Sequence, residues 1–446
     1  MTIKVGMVSL GCPKNQVDAE MLLSNMSNYG YAITSNPEEA DVVVINTCGF
    51  IESAKQESID TILDFCERKG QGNLKCVVVT GCLAERYQQE LAKEIPETDV
   101  VLGIGANGEI AKAIEQALEG KKVAAFAPKC ELALNGDRML TTPPYLAYLK
   151  IAEGCNNCCT YCAIPSIRGP YRSREMEDIL KEARWLAETG VKELVVVAQD
   201  TTRYGEDLYG ASKLPQLLEQ LCEIEGFHWI RVLYCYPERI TDELLDVIAT
   251  QPKIAKYLDV PIQHINTSVL KRMNRRSTKE EILDVIQKIR TKVPNITLRT
   301  SLIAGFPGET EEQFEELVGF VKQVKFDRMG CFAYSQEEGT PAGRMPEQLE
   351  DAVKQRRAEL VMLEQQTING EHNRALLGKT IEVLVEGFDY DNSCYYGRSE
   401  ADAPEIDGTV LFVSEQEHDA GEFVTVKIID ATEYDLMGQV VQEETE

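Results

Sequence analysis

The 446-residue chain is 43% hydrophobic and 27% charged, an ordinary globular balance that excludes disorder, collagen-like repeats and a coiled coil and, at roughly 150 residues per domain, allows about three domains. Its 46 basic and 73 acidic residues give a net charge of −27, which disfavours a broad nucleic-acid footprint and allows a basic partner. No apolar run approaches the roughly 18 residues of a membrane span and residues 1–10 lack a basic stretch followed by an apolar one, so a cytoplasmic protein without a membrane partner is expected.

Residues 1–135 alternate short apolar runs (4–10, 41–46, 74–80, 99–102) with helical segments (16–28, 52–69, 84–94, 108–118), the pattern of a parallel α/β layer. Fourteen cysteines in a reducing compartment make a poor disulfide framework, and with only His228, His264, His372 and His418 a His-rich metal site is disfavoured. Metal or cluster roles for cysteine therefore gain weight. Cys12, Cys48 and Cys82 each follow a predicted strand directly, in Leu10-Gly11-Cys12, Asn46-Thr47-Cys48 and Thr80-Gly81-Cys82. Ligands of open parallel sheets bind beyond the carboxyl ends of the strands, so these three thiols are expected to converge there. Cys66, Cys76 and Cys130 read as small apolar residues.

A second α/β run occupies residues 136–374. Candidate strands at 147–151, 193–198, 229–233, 257–260, 297–303 and 328–334 alternate with helices at 175–189, 242–249, 279–292 and 311–324, which suggests a partial (β/α)6 barrel, short of the closed eightfold form. The first of these strands runs into Cys155, Cys159 and Cys162, a CxxxCxxC loop at the carboxyl end of a barrel strand. Three closely spaced thiolates suit a cubane iron–sulfur cluster with one iron left open to a ligand. Structural zinc, the alternative, normally takes four ligands in two pairs, and no second pair stands at finger spacing. Cys158 fits the pair Cys155–Cys158 but not the triplet, and reads as a neighbour without a ligand role.

Beyond it, an amphipathic helix at 349–366, with Leu349, Val353, Leu360 and Leu363 on one side, leads to Gly370 and to residues 375–446. There, alternating stretches at 380–385, 394–397, 409–413 and 423–429 predict a small antiparallel β-barrel. Residues 376–446 hold three basic residues (Lys379, Arg398, Lys427) against eighteen acidic ones, a net charge of −15. Phosphate contacts need clustered Lys and Arg, so a basic protein partner is favoured over RNA, with a merely solvated acidic surface as the alternative. Asp402, Glu405 and Asp407, in one turn-rich stretch, are assigned to that partner surface.

The CxxxCxxC loop after a first barrel strand resembles the radical S-adenosylmethionine (SAM) enzymes, and the three N-terminal cysteines make the whole chain similar to their methylthiotransferase branch. Segments 10–15 (LGCPKN), 162–169 (CAIPSIRG), 198–205 (AQDTTRYG) and 397–408 (GRSEADAPEIDG) resemble the subgroup that modifies an aspartate of ribosomal protein S-twelve of the small subunit, rather than adenosine in transfer RNA. Where the family usually has a basic or polar residue, this chain has Cys158.

The resemblance implies two 4Fe-4S clusters. One, on Cys155, Cys159 and Cys162, chelates SAM and splits it reductively to a hydrogen-abstracting radical; an auxiliary one, on Cys12, Cys48 and Cys82, supplies the sulfur. Gln199 and Asp200 would meet the methionine part of SAM, and Ile303, Gly305 and Gly308 its adenine side. The last 70 or so residues resemble a TRAM domain. A reductant and a sulfur donor are implied as further partners. No catalytic triad or paired-carboxylate signature is present, in keeping with radical chemistry. The competing classes are the transfer-RNA enzyme, which shares the chemistry, and an iron–sulfur electron carrier, which would explain the cysteines but not a six-unit barrel.

Overall fold

Strands covered on both faces read as continuous Val/Ile runs, and such runs form the centre of the first sheet. In the structure, a computed structural model describing residues 2–441, six parallel strands stand in the order β2-β1-β3-β4-β5-β6. They are β1 (Lys4–Ser9), β2 (Ala32–Thr34), β3 (Val42–Thr47), β4 (Cys76–Gly81), β5 (Val100–Leu102) and β6 (Val123–Ala125). Helix α1 (Pro13–Tyr29) follows β1, α2 (Glu52–Arg68) follows β3, and α3 (Cys82–Tyr87) follows β4. The helix expected at 84–94 is broken: Gln88 has φ 47°, and a separate turn of helix covers Gln89–Glu94. The two edge strands, β2 and β6, are three residues each and too short to show a period.

The second sheet is an open half-barrel of parallel strands, β14-β13-β12-β11-β10-β7. In chain order these are β7 (Leu146–Lys150), a short antiparallel pair β8 (Ala152–Glu153) and β9 (Arg172–Ser173), then β10 (Glu193–Val197), β11 (Trp229–Val232), β12 (Ile254–Asp259), β13 (Thr297–Ala304) and β14 (Arg328–Ala333). Alternation divides each strand between two cores. Leu149, Val196, Ile230 and Leu258 pack under the helices, whereas Tyr148, Val195, Trp229 and Tyr257 face the concave side, where they meet Val17 of α1 and Leu384 and Ala403 of the last domain.

That domain is a closed five-stranded barrel, β15-β16-β17-β19-β18, from β15 (Thr380–Asp389), β16 (Cys394–Ser399), β17 (Val410–Val413), β18 (Phe423–Ala431) and β19 (Leu436–Val440). All neighbours are antiparallel except β17 and β19. It docks on the concave face toward the amino ends of the half-barrel strands, through the ion pair Arg398–Glu193 (2.6 Å), a hydrogen bond from Arg231 to the Glu400 carbonyl (2.9 Å) and the contact of Arg328 Nε with Asp402 (3.0 Å). The carboxyl ends are left to face the first domain.

Two expectations fail here. Asp402 (1% exposed) and the Asp407 carboxylate, which accepts from Tyr257 Oη at 2.6 Å and lies 3.6 Å from Arg299, are buried in this junction; of the three assigned to a partner surface only Glu405 is exposed. The long helix runs over Asp351–Arg374 with Gly370 inside it. Its apolar side of Val353, Leu360 and Leu363 points outward, Leu363 being 60% exposed, because the side holding Arg357, Ala358, Val361 and Ile368 is the one that packs on the half-barrel. Among the acidic residues counted above, Glu443, Glu444 and Glu446 lie outside the described residues. Among those described, no helix is long and apolar enough to cross a membrane.

Candidate active site

Cys12, Cys48 and Cys82 stand at the carboxyl ends of three neighbouring strands, β1, β3 and β4, where tight turns bring their loops together. Gly11 adopts φ 95°, and a Cβ there would lie 2.9 Å from the Cys48 Cβ; one on Gly81 (φ 93°) would lie 2.5 Å from the Thr47 carbonyl oxygen. Only glycine lets the loops approach so closely. Hydrogen bonds fix them further: the Asn15 amide donates to the Leu10 oxygen (2.7 Å) and the Thr47 oxygen (3.2 Å), and Ser58 both donates to the Cys48 carbonyl (2.9 Å) and accepts from its N–H (3.0 Å). Burial pushes the Cys82 thiol up to about 12 against the pull of Arg168, and its neighbours Cys12 and Cys48 add to the rise. A neutral thiol this well buried ionises readily only when a metal takes the proton's place.

Across from this edge, β8 delivers the second triplet. Gly154 has φ 78°, and a Cβ on it would fall 2.2 Å from the Pro170 oxygen; Cys155 N–H donates to the Gly169 oxygen (3.1 Å). Cys155 and Cys159 are buried, and backbone N–H groups of Asn157 and Ile164 point at the sulfurs of Cys155 (3.5 Å) and Cys162 (3.4 Å), contacts typical around thiolate clusters. Burial pushes Cys155 up to about 11. Cys158 is exposed at φ 51°, its carbonyl held by Asn274 (2.9 Å), apart from the buried sulfurs.

Neither triplet is drawn into coordination distance: among the described residues no three His, Cys, Asp or Glu groups form a metal-ready array. The donor chemistry nevertheless fits iron–sulfur ligation, with three thiols in each group, one group in a single loop and the other gathered from three strand ends, and N–H donors aimed at Cys155, Cys162 and Cys82. A further opening is the Gln199 side chain. Its Nε2 donates to Glu153 (3.0 Å), while its buried Oε1 has no partner and is free to accept from a bound ligand.

Other expected contacts are occupied by the protein itself. Asp200, fully buried and raised by that burial, accepts from Asn157 (2.9 Å) and Thr202 (2.5 Å), so it braces the cysteine loop. Gly305 N–H donates to the Glu309 carboxylate (3.0 Å) and Gly308 N–H to the Glu347 carbonyl (2.8 Å), which closes their turn on neighbouring residues. His264 is an interior histidine: Nδ1 accepts from Asn266 N–H (2.9 Å) and Nε2 lies 3.3 Å from Glu309. Ile303 joins Tyr161 against the Phe306–Tyr334 cluster, an apolar wall beside the CxxxCxxC loop.

Between the two triplets lies a group of charges that sequence patterning did not single out. Lys150 pairs with Asp18 and with Glu153 (2.8 Å), and Arg168 pairs with Asp18 and approaches Glu153 (3.5 Å), Asn15 Oδ1 (3.0 Å) and Cys82 Sγ (3.2 Å). All four charged side chains are at most 2% exposed and their formal charges cancel. Burial opposes ionisation of Glu153, yet Lys150 and Arg168 hold it well below the usual carboxylate range. The one sequence signal was a lysine inside an apolar strand.

Residues 4–103 match the description "Uncharacterized protein family UPF0004", 149–321 the radical SAM superfamily, and 377–441 the TRAM domain. The chain is 54% identical over 443 residues to the ribosomal protein uS12 methylthiotransferase RimO of Clostridioides difficile and 51% identical over 451 residues to that of Acetivibrio thermocellus, covering 99% of both partners in each case. Among solved structures, the cobalamin-bound radical SAM methyltransferase TsrM of Kitasatospora setae superposes with a TM-score of 0.57 at 15% identity over 77% of each chain. The cobalamin-dependent SAM radical enzyme OxsB gives 0.51 at 14% over 82% of this chain and 58% of its own. These two likenesses concern the fold.

Proposed function

The chain belongs to the RimO family of radical SAM methylthiotransferases, enzymes that use an iron–sulfur cluster and SAM, and on that premise we propose that it adds a methylthio group to the β-carbon of an aspartate in ribosomal protein uS12. The observation that carries the reading is the pair of cysteine triplets on facing loops, joined through the buried Asp18–Lys150–Glu153–Arg168 group. Cys155, Cys159 and Cys162 would hold one 4Fe-4S cluster, Cys12, Cys48 and Cys82 a second. When bound, these groups supply reductive cleavage of SAM, hydrogen abstraction and the sulfur to be inserted.

The chain's own residues do the positioning. Asp200 holds the cysteine loop through Asn157. Gln199 Oε1, unpartnered and buried, would be available to accept from the amino group of SAM, and Ile303 with Tyr161 would offer its adenine an apolar wall. Glu337 ties the two domains over the site, accepting from Arg86 (2.9 Å) and pairing with Lys55 (3.3 Å), which limits water entry. No side chain has to serve as a general base. An electron donor and a sulfur donor come from other proteins or small molecules.

Mass spectrometry of ribosomal proteins and transfer RNA from cells with and without this protein tests the substrate. The expected result is loss of a methylthio group from uS12 in the deletion. Unchanged uS12 with loss of methylthioadenosine in transfer RNA would overturn it.

A further inference from the structure

Arg168 ends the short helix Ile164–Arg168 that follows Cys162, and its side chain reaches out of the half-barrel into the first domain. One end of the guanidinium faces the Asp18 and Glu153 carboxylates; the other, through Nη2, lies 3.2 Å from Cys82 Sγ and 3.0 Å from Asn15 Oδ1. Asn15 in turn holds the backbone just before Cys12 and just before Cys48. On the barrel side, Glu153 adjoins Gly154 and Cys155, and the Gly169 carbonyl accepts from Cys155 N–H (3.1 Å). A single residue is thus bonded to both cysteine loops. Its planar fork serves two directions at once, which a lysine ammonium on a flexible stem cannot do.

A charged donor on a cluster-ligating sulfur stabilises the more negative, reduced cluster and so raises its potential. We propose that Arg168 is a positioning residue that fixes the Cys82 loop against the barrel's cysteine loop and raises the reduction potential of the cluster on Cys12, Cys48 and Cys82. This rests on the two-cluster reading above. A potential set this way keeps the auxiliary cluster reducible under the same donor that serves the SAM cluster; Asp18, Glu153 and Lys150 make the buried group neutral as a whole, so the effect on the sulfur is that of the Nη2–H donor 3.2 Å away.

The test uses the full chain carrying Cys155→Ala, Cys159→Ala and Cys162→Ala, reconstituted anaerobically, so that only the auxiliary cluster is present. Iron content and an EPR-monitored redox titration are compared for Arg168, Arg168→Lys and Arg168→Met. About four irons per chain are expected throughout, with the midpoint potential lowered in both variants. Retained iron with an unchanged potential in Arg168→Met overturns the proposal. If Arg168→Met takes up no iron, the same change is made with all six cysteines present. Loss of the auxiliary cluster alone then supports the bridge, while equal loss of both clusters in a chain of parental circular dichroism reduces Arg168 to domain packing and overturns it. An iron-free Arg168 control sinks the two-cluster reading, and this inference with it, before any Arg168 variant is compared.

Discussion

At Gly154 the backbone has φ 78° and the space where a side chain would begin is filled by the Pro170 and Gly169 oxygens, 2.2 and 2.6 Å away. Strain of this kind costs on the order of 1–3 kcal/mol, so Gly154→Ala should lower the melting temperature by several degrees and cut iron uptake at the barrel triplet; parental iron content would show that the loop does not depend on this turn. Replacing Cys12, Cys48 and Cys82 with Ala should bring iron from about eight to about four per chain and abolish methylthiolation while SAM cleavage persists. Loss of both activities in a folded variant would mean that the roles are not divided. Cys158→Ser should leave iron content as it was, since that thiol is exposed and apart from the buried set. The six thiols could be nominated from sequence because their signals are local: a fixed spacing in one loop, and a strand end in each of three βα units. Asp18, Lys150 and Arg168 were not, because the ion pairs that Lys150 and Arg168 make with Asp18 span 132 and 150 residues of sequence.

Among the elements, long strands and amphipathic helices were legible from period alone, and what escaped was short or decided by tertiary packing. Three-residue β2 and β6 exist only because β1 and β5 offer them an edge. The outer helix shows two candidate faces in sequence, and the half-barrel takes the one carrying Arg357, whose guanidinium reaches Glu309 at 2.7 Å. Domain docking likewise uses charge, Asp402 and Asp407, that the sequence reading assigned to a partner surface. Glu193 is buried between Arg398 and Arg231; burial would raise its pKa, but the two guanidinium groups overcome this and hold it below 4.5. A carboxylate with a folded pKa below its unfolded value contributes stability that is complete above the unfolded pKa and is lost as pH falls through the folded one. The junction should therefore weaken below about pH 4.5. Measured by melting temperature, the parent should lose more between pH 5 and pH 3 than Glu193→Gln, and equal losses would remove Glu193 from the acid response. Glu193→Ala should cost about 3–5 kcal/mol at neutral pH, since it strands two buried guanidinium groups.

For the whole molecule, more than half of the net charge of −27 falls in the sequence from 376 to 446, which carries −15. Asp402 and Asp407 are spent inside the junction, yet Glu405, Glu417 and Glu433 remain exposed, so the end domain still presents acid to solvent. A field of this kind steers and orients a basic partner, and salt screens it over about 8–10 Å. A basic ribosomal protein suits that field, whereas nucleic-acid phosphate, lacking clustered Lys or Arg to meet it, does not. Changing Glu405, Glu417 and Glu433 together to Lys reverses six units of charge without touching the Arg328–Asp402 or Arg299–Asp407 contacts that hold the domain. Titrated with purified uS12, the triple variant should bind more than tenfold more weakly than the parent at low salt, and the two affinities should converge as salt is raised and the field is screened away. Equal affinities at low salt would show that the acidic end of the molecule serves solubility rather than recognition.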